Sequence, residues 1–116
     1  MSDDKAIEVL LVLTNLPDMA SAQQLADALV ARRAAACVNI LAACTSVYRW
    51  QGKVESAGEV PLLIKSTRAA YPRLEKLVRE HHPYELPEII AVPVNAGLAG
   101  YLEWVAEETM QETKTP

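Results

Sequence analysis

The stretch Ser46-Val47-Tyr48-Arg49-Trp50-Gln51-Gly52-Lys53-Val54-Glu55 decides how this chain folds. It reads as the tip of a hairpin, because Gly52 supplies the left-handed backbone that a tight reversal needs. Working outward, extended chain is expected from Ala36 to about Trp50 on one arm and from about Lys53 to Ser66 on the other. Even positions carry the apolar load in both arms: Val38, Ile40, Ala42, Cys44 and Tyr48 in the first, and Val54, Val60, Leu62 and Ile64 in the second. Facing even against even requires a loop with an odd number of residues, which predicts a three-residue loop, Trp50-Gln51-Gly52. A two-residue loop at Gln51-Gly52 would need a bulge elsewhere, and Ala57-Gly58 is its expected place.

Each arm has about 14 residues, or roughly 45 Å at the rise of extended chain. A domain of this length is only about 30 Å across. The arms therefore project past the body or curl strongly, and a bare two-stranded ribbon leaves open edges that a second subunit would cover. This predicts self-association by a closed, cyclic arrangement. Tyr48 and Trp50 are then either interface anchors or cover for the hairpin tip.

The elements around the hairpin follow from their periodicity. Ile7 to Leu13 is nearly continuous apolar chain and reads as a strand buried on both faces. After a turn at Asn15-Leu16-Pro17-Asp18 comes a helix, with Ser21 and Gln24 spaced as a capping box. Its apolar stripe is Ala22, Leu25, Ala26, Leu29 and Val30, and Arg32 and Arg33 suit its negative C-terminal end. A second helix is expected from Ala69 to His81, with Pro72 in its first turn and Leu74, Leu77 and Val78 facing inward. Glu88 to Val94 reads as a fourth strand, in which Pro93 marks an edge. A last helix begins near Leu98, with Tyr101, Leu102 and Val105 inward and Trp104 packed beside them. The order is β-α-β-β-α-β: an α+β, ferredoxin-like split β-α-β with a long hairpin and a C-terminal helix. Residues 1–110 form a single domain in this reading, and 111–116 a polar tail. The first and third strands are central and the second and fourth are edges. Pro61 is discordant, since it falls in a central strand; either that part is paired on one side only, or a local irregularity accommodates it.

Composition narrows the function classes. With 116 residues, half of them apolar but none of them Phe, the core must be aliphatic. A net charge of −4 with scattered Lys and Arg argues against nucleic-acid or anionic-membrane binding. No run approaches the roughly 18 apolar residues of a membrane span. The acidic start Met1-Ser2-Asp3-Asp4 lacks a basic leader, so a cytoplasmic protein is expected. Cys37 and Cys44 lie in one predicted strand on opposite faces, too far apart to pair, and read as small buried hydrophobes. No nucleophile elbow or glycine-rich phosphate loop is present, and Cys37 has no base beside it in sequence, so the expectation is a protein that is not an enzyme.

Chemistry concentrates in His81-His82-Pro83-Tyr84-Glu85-Leu86-Pro87-Glu88. Imidazole and carboxylate ligate first-row metals. Adjacent helical residues point about 100° apart, so one ion would engage at most one histidine unless the backbone breaks between them. The competing reading is a helix end, with His in the last turn and Pro83 as the stop. Glu55, Glu59 and Lys65 alternate with the apolar face of the third strand, as a solvated face or as the wall of a polar pocket.

Several stretches together carry a family resemblance. They are Thr14-Asn15-Leu16-Pro17-Asp18, Arg33-Ala34-Ala35-Ala36-Cys37-Val38-Asn39, Ser46 to Lys53, Leu63-Ile64-Lys65-Ser66-Thr67, His81 to Ile89 and Tyr101-Leu102-Glu103-Trp104. In this order and spacing, from residue 7 to about 108, the chain resembles the CutA family, the divalent-cation tolerance proteins. The resemblance implies a ferredoxin-like fold in a tight homotrimer of PII-like architecture, whose hairpins extend strand pairing between subunits. It also implies a role in tolerance of copper and other divalent metal ions. Copper or another divalent cation is the expected ligand, and none is expected to be required for folding. The family's metal contacts carry over as His81 and His82. Its first-loop cysteine does not: Thr14 stands there, a hydroxyl in place of the soft thiolate that favours Cu(I). Lys65, Glu59, Tyr84 and Glu88 are the expected lining of a polar cleft between subunits. Three readings follow. The chain is a metal-binding trimer, or a PII-like regulatory or adaptor module taking a small anion or a protein at the cleft around Lys65, or an enzyme of unknown reaction.

Overall fold

A computed structural model describes residues 7–111. The expectations for the acidic start and for the tail beyond Gln111 lie outside the described residues. Eight elements follow one another: β1 (Val9–Leu16), α1 (Met19–Ala31), β2 (Cys37–Ile40), β3 (Cys44–Trp50), β4 (Lys53–Thr67), α2 (Tyr71–His81), β5 (Ile90–Pro93) and α3 (Ala99–Glu108). All pairings are antiparallel, and the strands run β2-β4-β1-β5, with β3 extending the sheet along the far half of β4. This is the expected mixed α+β arrangement, with β1 and β4 central and β2 and β5 at the edges.

The hairpin differs from expectation in an informative way. Trp50 pairs with Lys53, so the loop has two residues, Gln51 and Gly52, at φ of 51° and 82°. Positive φ at both central positions is the geometry that matches the right-handed twist of the arms. The required bulge sits in the first arm rather than at Ala57-Gly58. Ile40 faces Leu62 and Cys44 faces Glu59, so Leu41-Ala42-Ala43 oppose only Val60-Pro61. The physical reason is Pro61. It has no N–H to donate, and the neighbouring arm breaks beside it while Leu41 N–H donates to the Pro61 carbonyl at 2.9 Å. The discordant proline is thereby accommodated, and the single long strand expected from Ala36 to Trp50 becomes β2 and β3. The extra residue also reverses the parity of the arm. Cys37 lies opposite Lys65 and Cys44 opposite Glu59, which puts the two thiols on one face, half-buried and exposed, rather than buried on opposite faces.

One face of the sheet presents Leu10, Val12, Leu16, Val60, Leu62 and Ile64 to Leu25 and Leu29 of α1 and to Leu74, Leu77 and Val78 of α2. The aliphatic core expected from the absence of Phe is this layer. On the other face, α3 covers one end only, through Val105 against Val9 and Ala36, with Val94 and Leu102 alongside. Tyr101 and Trp104 are not part of that inner stripe; they stack on each other at 5.5 Å and stay exposed. Val30 likewise stays exposed at the end of α1.

Local caps complete the frame. The N-cap of α1 is Asp18, not Ser21: the Asp18 carboxylate accepts from Ser21 N–H at 2.7 Å. Arg33 adopts φ of 59° just past α1, and its guanidinium turns to another helix, donating to the carbonyls of Glu107 and Met110 at the end of α3. Arg73 of α2 donates to the Thr109 carbonyl at 2.8 Å. Two cations thus hold the negative end of α3 against the body.

Candidate functional site

The loop from His82 to Ile89 joins α2 to β5 and lies beside the end of β1. Its geometry begins with a backbone break. His81 is the last helical residue, while His82 is extended at φ −85° and ψ 132°, as the residue before Pro83 must be. The two imidazoles therefore have different surroundings. His81 is exposed, and its Nδ1 sits 3.0 Å from the Leu77 carbonyl, so Nδ1–H donates there and Nε2 keeps a free lone pair. His82 is buried. Its Nδ1 accepts from Tyr84 N–H at 3.2 Å, and its Nε2–H donates to the Asn15 carbonyl at 2.5 Å. Both ring nitrogens of His82 are thus committed to backbone, in the neutral state.

His82 consequently fixes Tyr84, whose ring lies 4.8 Å from the imidazole. Tyr84 stands at the mouth of a cleft of about 780 Å³ between this loop and the β3–β4 hairpin. Because β3 and β4 pair two-for-two beyond the bulge, Tyr48 and Trp50 share a face with Glu55 and Glu59. That face is the hairpin wall of the cleft, and Glu85 and Glu88 line the loop side. Asn15 anchors the far rim, donating from Nδ2 to the Glu88 carboxylate at 3.0 Å. Burial first, and then the Glu59 carboxylate, hold the Tyr84 phenol above its ordinary pKa.

Of the expected cleft lining, the structure gathers Glu59, Tyr84 and Glu88 in one place, together with Tyr48 and Trp50. Lys65 is not among them. It projects further along β4, where its ammonium donates to the Asn39 side chain and lies 3.8 Å from the Cys37 thiol. Burial, followed by Cys37, raises the pKa of the neighbouring Tyr101 phenol. Glu55, Ser46 and Glu85 also line the cleft. Glu55 is the pocket wall that the strand pattern offered and Glu85 comes with the loop, whereas Ser46, like Tyr48 and Trp50, joins them only through the parity reversal at Leu41–Ala43, which the alternating pattern conceals.

Thr14 has no exposed surface. It points from β1 into the core, and its hydroxyl has no hydrogen-bond partner. Among the described residues, no three His, Cys, Asp or Glu side chains converge as a metal site. One chain thus offers fewer than the three or four protein ligands of an ordinary zinc or copper centre. His81 Nε2 is the ring nitrogen here that meets a metal without first giving up a hydrogen bond. No helix among the described residues is long and apolar enough to cross a membrane.

Comparison with known proteins gives a consistent picture. The family model described as CutA1 divalent ion tolerance protein matches residues 10–108. The Divalent-cation tolerance protein CutA of Thermus thermophilus is 47% identical over 98 residues, spanning 84% of this chain and 95% of the relative. The Divalent-cation tolerance protein CutA of Pectobacterium atrosepticum is 40% identical over 105 residues, spanning 90% and 96%. Among solved structures, the divalent cation tolerance protein of Thermus thermophilus superposes with a TM-score of 0.86 at 45% identity, covering 88% of this chain and 99% of that one.

Proposed function

The chain belongs to the CutA1 divalent ion tolerance family, and from that premise we propose that it works as a homotrimer in the response to divalent metal ions, copper among them. The observation that carries this reading is the state of His81. Its Nδ1–H is held by the Leu77 carbonyl, which orients the ring and leaves Nε2 free on the surface. A backbone carbonyl on the far nitrogen is the usual support of a metal-binding imidazole. One chain does not converge three ligands, so the remaining ligands come from another subunit or from water. His82 contributes as the residue that holds the loop, and it meets the ion only by releasing Asn15 or Tyr84.

Assembly is supported by the uncovered face of the sheet. Beyond α3, Leu11, Leu13 and Leu63 are half-buried, while Ile90 and Val92 remain 52% and 48% exposed. An apolar sheet face of this extent is covered in a stable protein. The acidic cleft, with Lys65 outside it, favours the metal reading over a PII-like module that takes a small anion there. The chain acts in this reading by binding and assembly rather than by catalysis.

The test combines sedimentation equilibrium with Cu(II) and Zn(II) titration calorimetry. The expected mass is three times the 12.7 kDa of the chain. His81→Ala is expected to weaken metal binding by about tenfold or more, the range seen when a ligand or its support is lost. A monomer, or metal affinity indifferent to His81, rejects the proposal.

A further inference from the structure

We infer that the groove between the end of α1 and the face of α2 is a second binding site, for a small anion that carries two or more phosphoryl groups. Arg32, Arg33, Arg73 and Lys76 line a cavity of about 400 Å³ there, beside Leu77, Glu80 and Gln111. The chain has eleven Lys and Arg against fifteen Asp and Glu, yet four of those cations and only one carboxylate meet in this cavity. The local sign is therefore opposite to that of the molecule, and a concave basic wall concentrates its field on what enters. One charge is partly answered, since Arg33 Nη1 lies 4.0 Å from the Glu108 carboxylate. The other ion pair among the described residues, Arg68–Glu8, involves no residue of the cavity, so Arg32, Arg73 and Lys76 stand there against Glu80 alone.

Two of the four cations are held in place before any ligand arrives. Arg33 donates to the Met110 and Glu107 carbonyls at 2.8 and 2.7 Å, and Arg73 to the Thr109 carbonyl at 2.8 Å. Carbonyls are dipoles, so these contacts fix both guanidiniums without cancelling their charge, and little side-chain freedom is left to lose on binding. Arg32 and Lys76 are exposed and stand in no ion pair among the described residues. A guanidinium fork takes two phosphoryl oxygens at once, and an ammonium adds a point charge beside it. The excess of cations over Glu80 calls for more than one negative charge on the ligand. A cavity of about 400 Å³ is at the small end of ligand sites, the size for an oligophosphate. It opens on the helix side of the sheet, whereas the apolar face offered for assembly, with Leu11, Leu13, Ile90 and Val92, is the other side. The site is separate from the acidic cleft and from His81, and does not rest on the metal reading.

The experiment is calorimetric titration of the full-length, metal-free protein with sodium tripolyphosphate and ATP, beside citrate at equal ionic strength. Tripolyphosphate and ATP are expected to bind saturably and to compete with each other, and citrate to bind about tenfold more weakly. Arg32→Gln and Lys76→Gln are each expected to weaken tripolyphosphate binding about fivefold or more, the scale of a lost charge-assisted partner. Neither residue anchors α3, so thermal melts of both variants are expected to match wild type. Arg79→Gln removes the same charge from α2 outside the cavity and is expected to leave binding unchanged, as is His81→Ala. Absence of tripolyphosphate binding overturns the proposal, as does binding unchanged in both Arg32→Gln and Lys76→Gln. Equal binding of citrate also overturns it, because the cavity then answers to charge alone. So does an equal loss in Arg79→Gln, which would make the whole helix surface, not the cavity, responsible.

Discussion

At the residue scale, Thr14, which stands where the family has a cysteine, and His82, one of the two expected metal contacts, are both held inside the fold. Thr14 is fully buried with an unpartnered hydroxyl, in a place where an isosteric methyl would satisfy the same space. Thr14→Val is therefore expected to raise stability by about 1 kcal/mol in urea denaturation, the desolvation cost of an unpaired hydroxyl. His82 shows the opposite case, a buried polar ring with both nitrogens satisfied. His82→Ala is expected to lower stability of the metal-free protein by about 1–3 kcal/mol and to speed amide exchange at Tyr84. Unchanged stability of the metal-free variant contradicts this role. Asp18 adds a pH-dependent contribution. Hydrogen bonding from Ser21 holds its carboxyl below the ordinary range. A depressed folded-state pKa stabilises above the unfolded value and is lost as pH falls through the folded one. The deficit of Asp18→Ala relative to wild type should thus shrink on acidification. The adjacency of His81 and His82 was plain in the sequence, but their division of labour was not. It depends on the backbone break before Pro83 and on the Asn15 carbonyl, 67 residues away in the chain.

At the element scale, the hairpin shows how one residue sets the faces of a long ribbon. Gly52 at φ of 82° occupies a conformation that a side chain resists, whereas Gly58 has ordinary φ and open space around it. Gly52→Ala is expected to destabilise by about 1 kcal/mol, and Gly58→Ala to be neutral or slightly stabilising, by the same denaturation measurement. Equal effects at the two glycines contradict the assigned turn. The apolar alternation announced both arms and placed the reversal within one residue. It did not locate the bulge, because alternation on an arm is read without its partner. Pro61 was the available signal. A proline in a central strand requires an irregularity, and that irregularity fell on the neighbouring chain rather than its own.

For the whole molecule, shape and exposed surface argue together. The radius of gyration is 15.7 Å, against about 13 Å for a compact domain of this length, and the longest dimension is 54 Å. The excess comes from the β3–β4 ribbon, whose outward face shows Val47 and Val54 at 69% and 66% exposure. With Ile90 and Val92 on the sheet, these residues are expected to lie at subunit contacts. Ile90→Lys combined with Val92→Lys should shift the sedimentation mass toward the single chain while leaving the far-ultraviolet circular dichroism intact. An unaltered mass moves the interface elsewhere.

The order of elements, the central and edge strands and the aliphatic core were determined by the sequence alone. Each rests on local periodicity and on the backbone limits of Gly and Pro, which act within a few residues. The face on which Tyr48, Trp50, Glu55 and Glu59 meet was decided only by the tertiary structure. Pairing of β4 with a neighbour that must bulge beside Pro61 reverses the parity of the arm, and a packed loop brings Tyr84 and Glu88 across to it. Lys65 shares that face of β4 with Glu59 but lies further along the strand, away from the hairpin end where the cleft forms. A strand pattern states which residues share a face of their own strand, whereas contacts between distant segments depend on register.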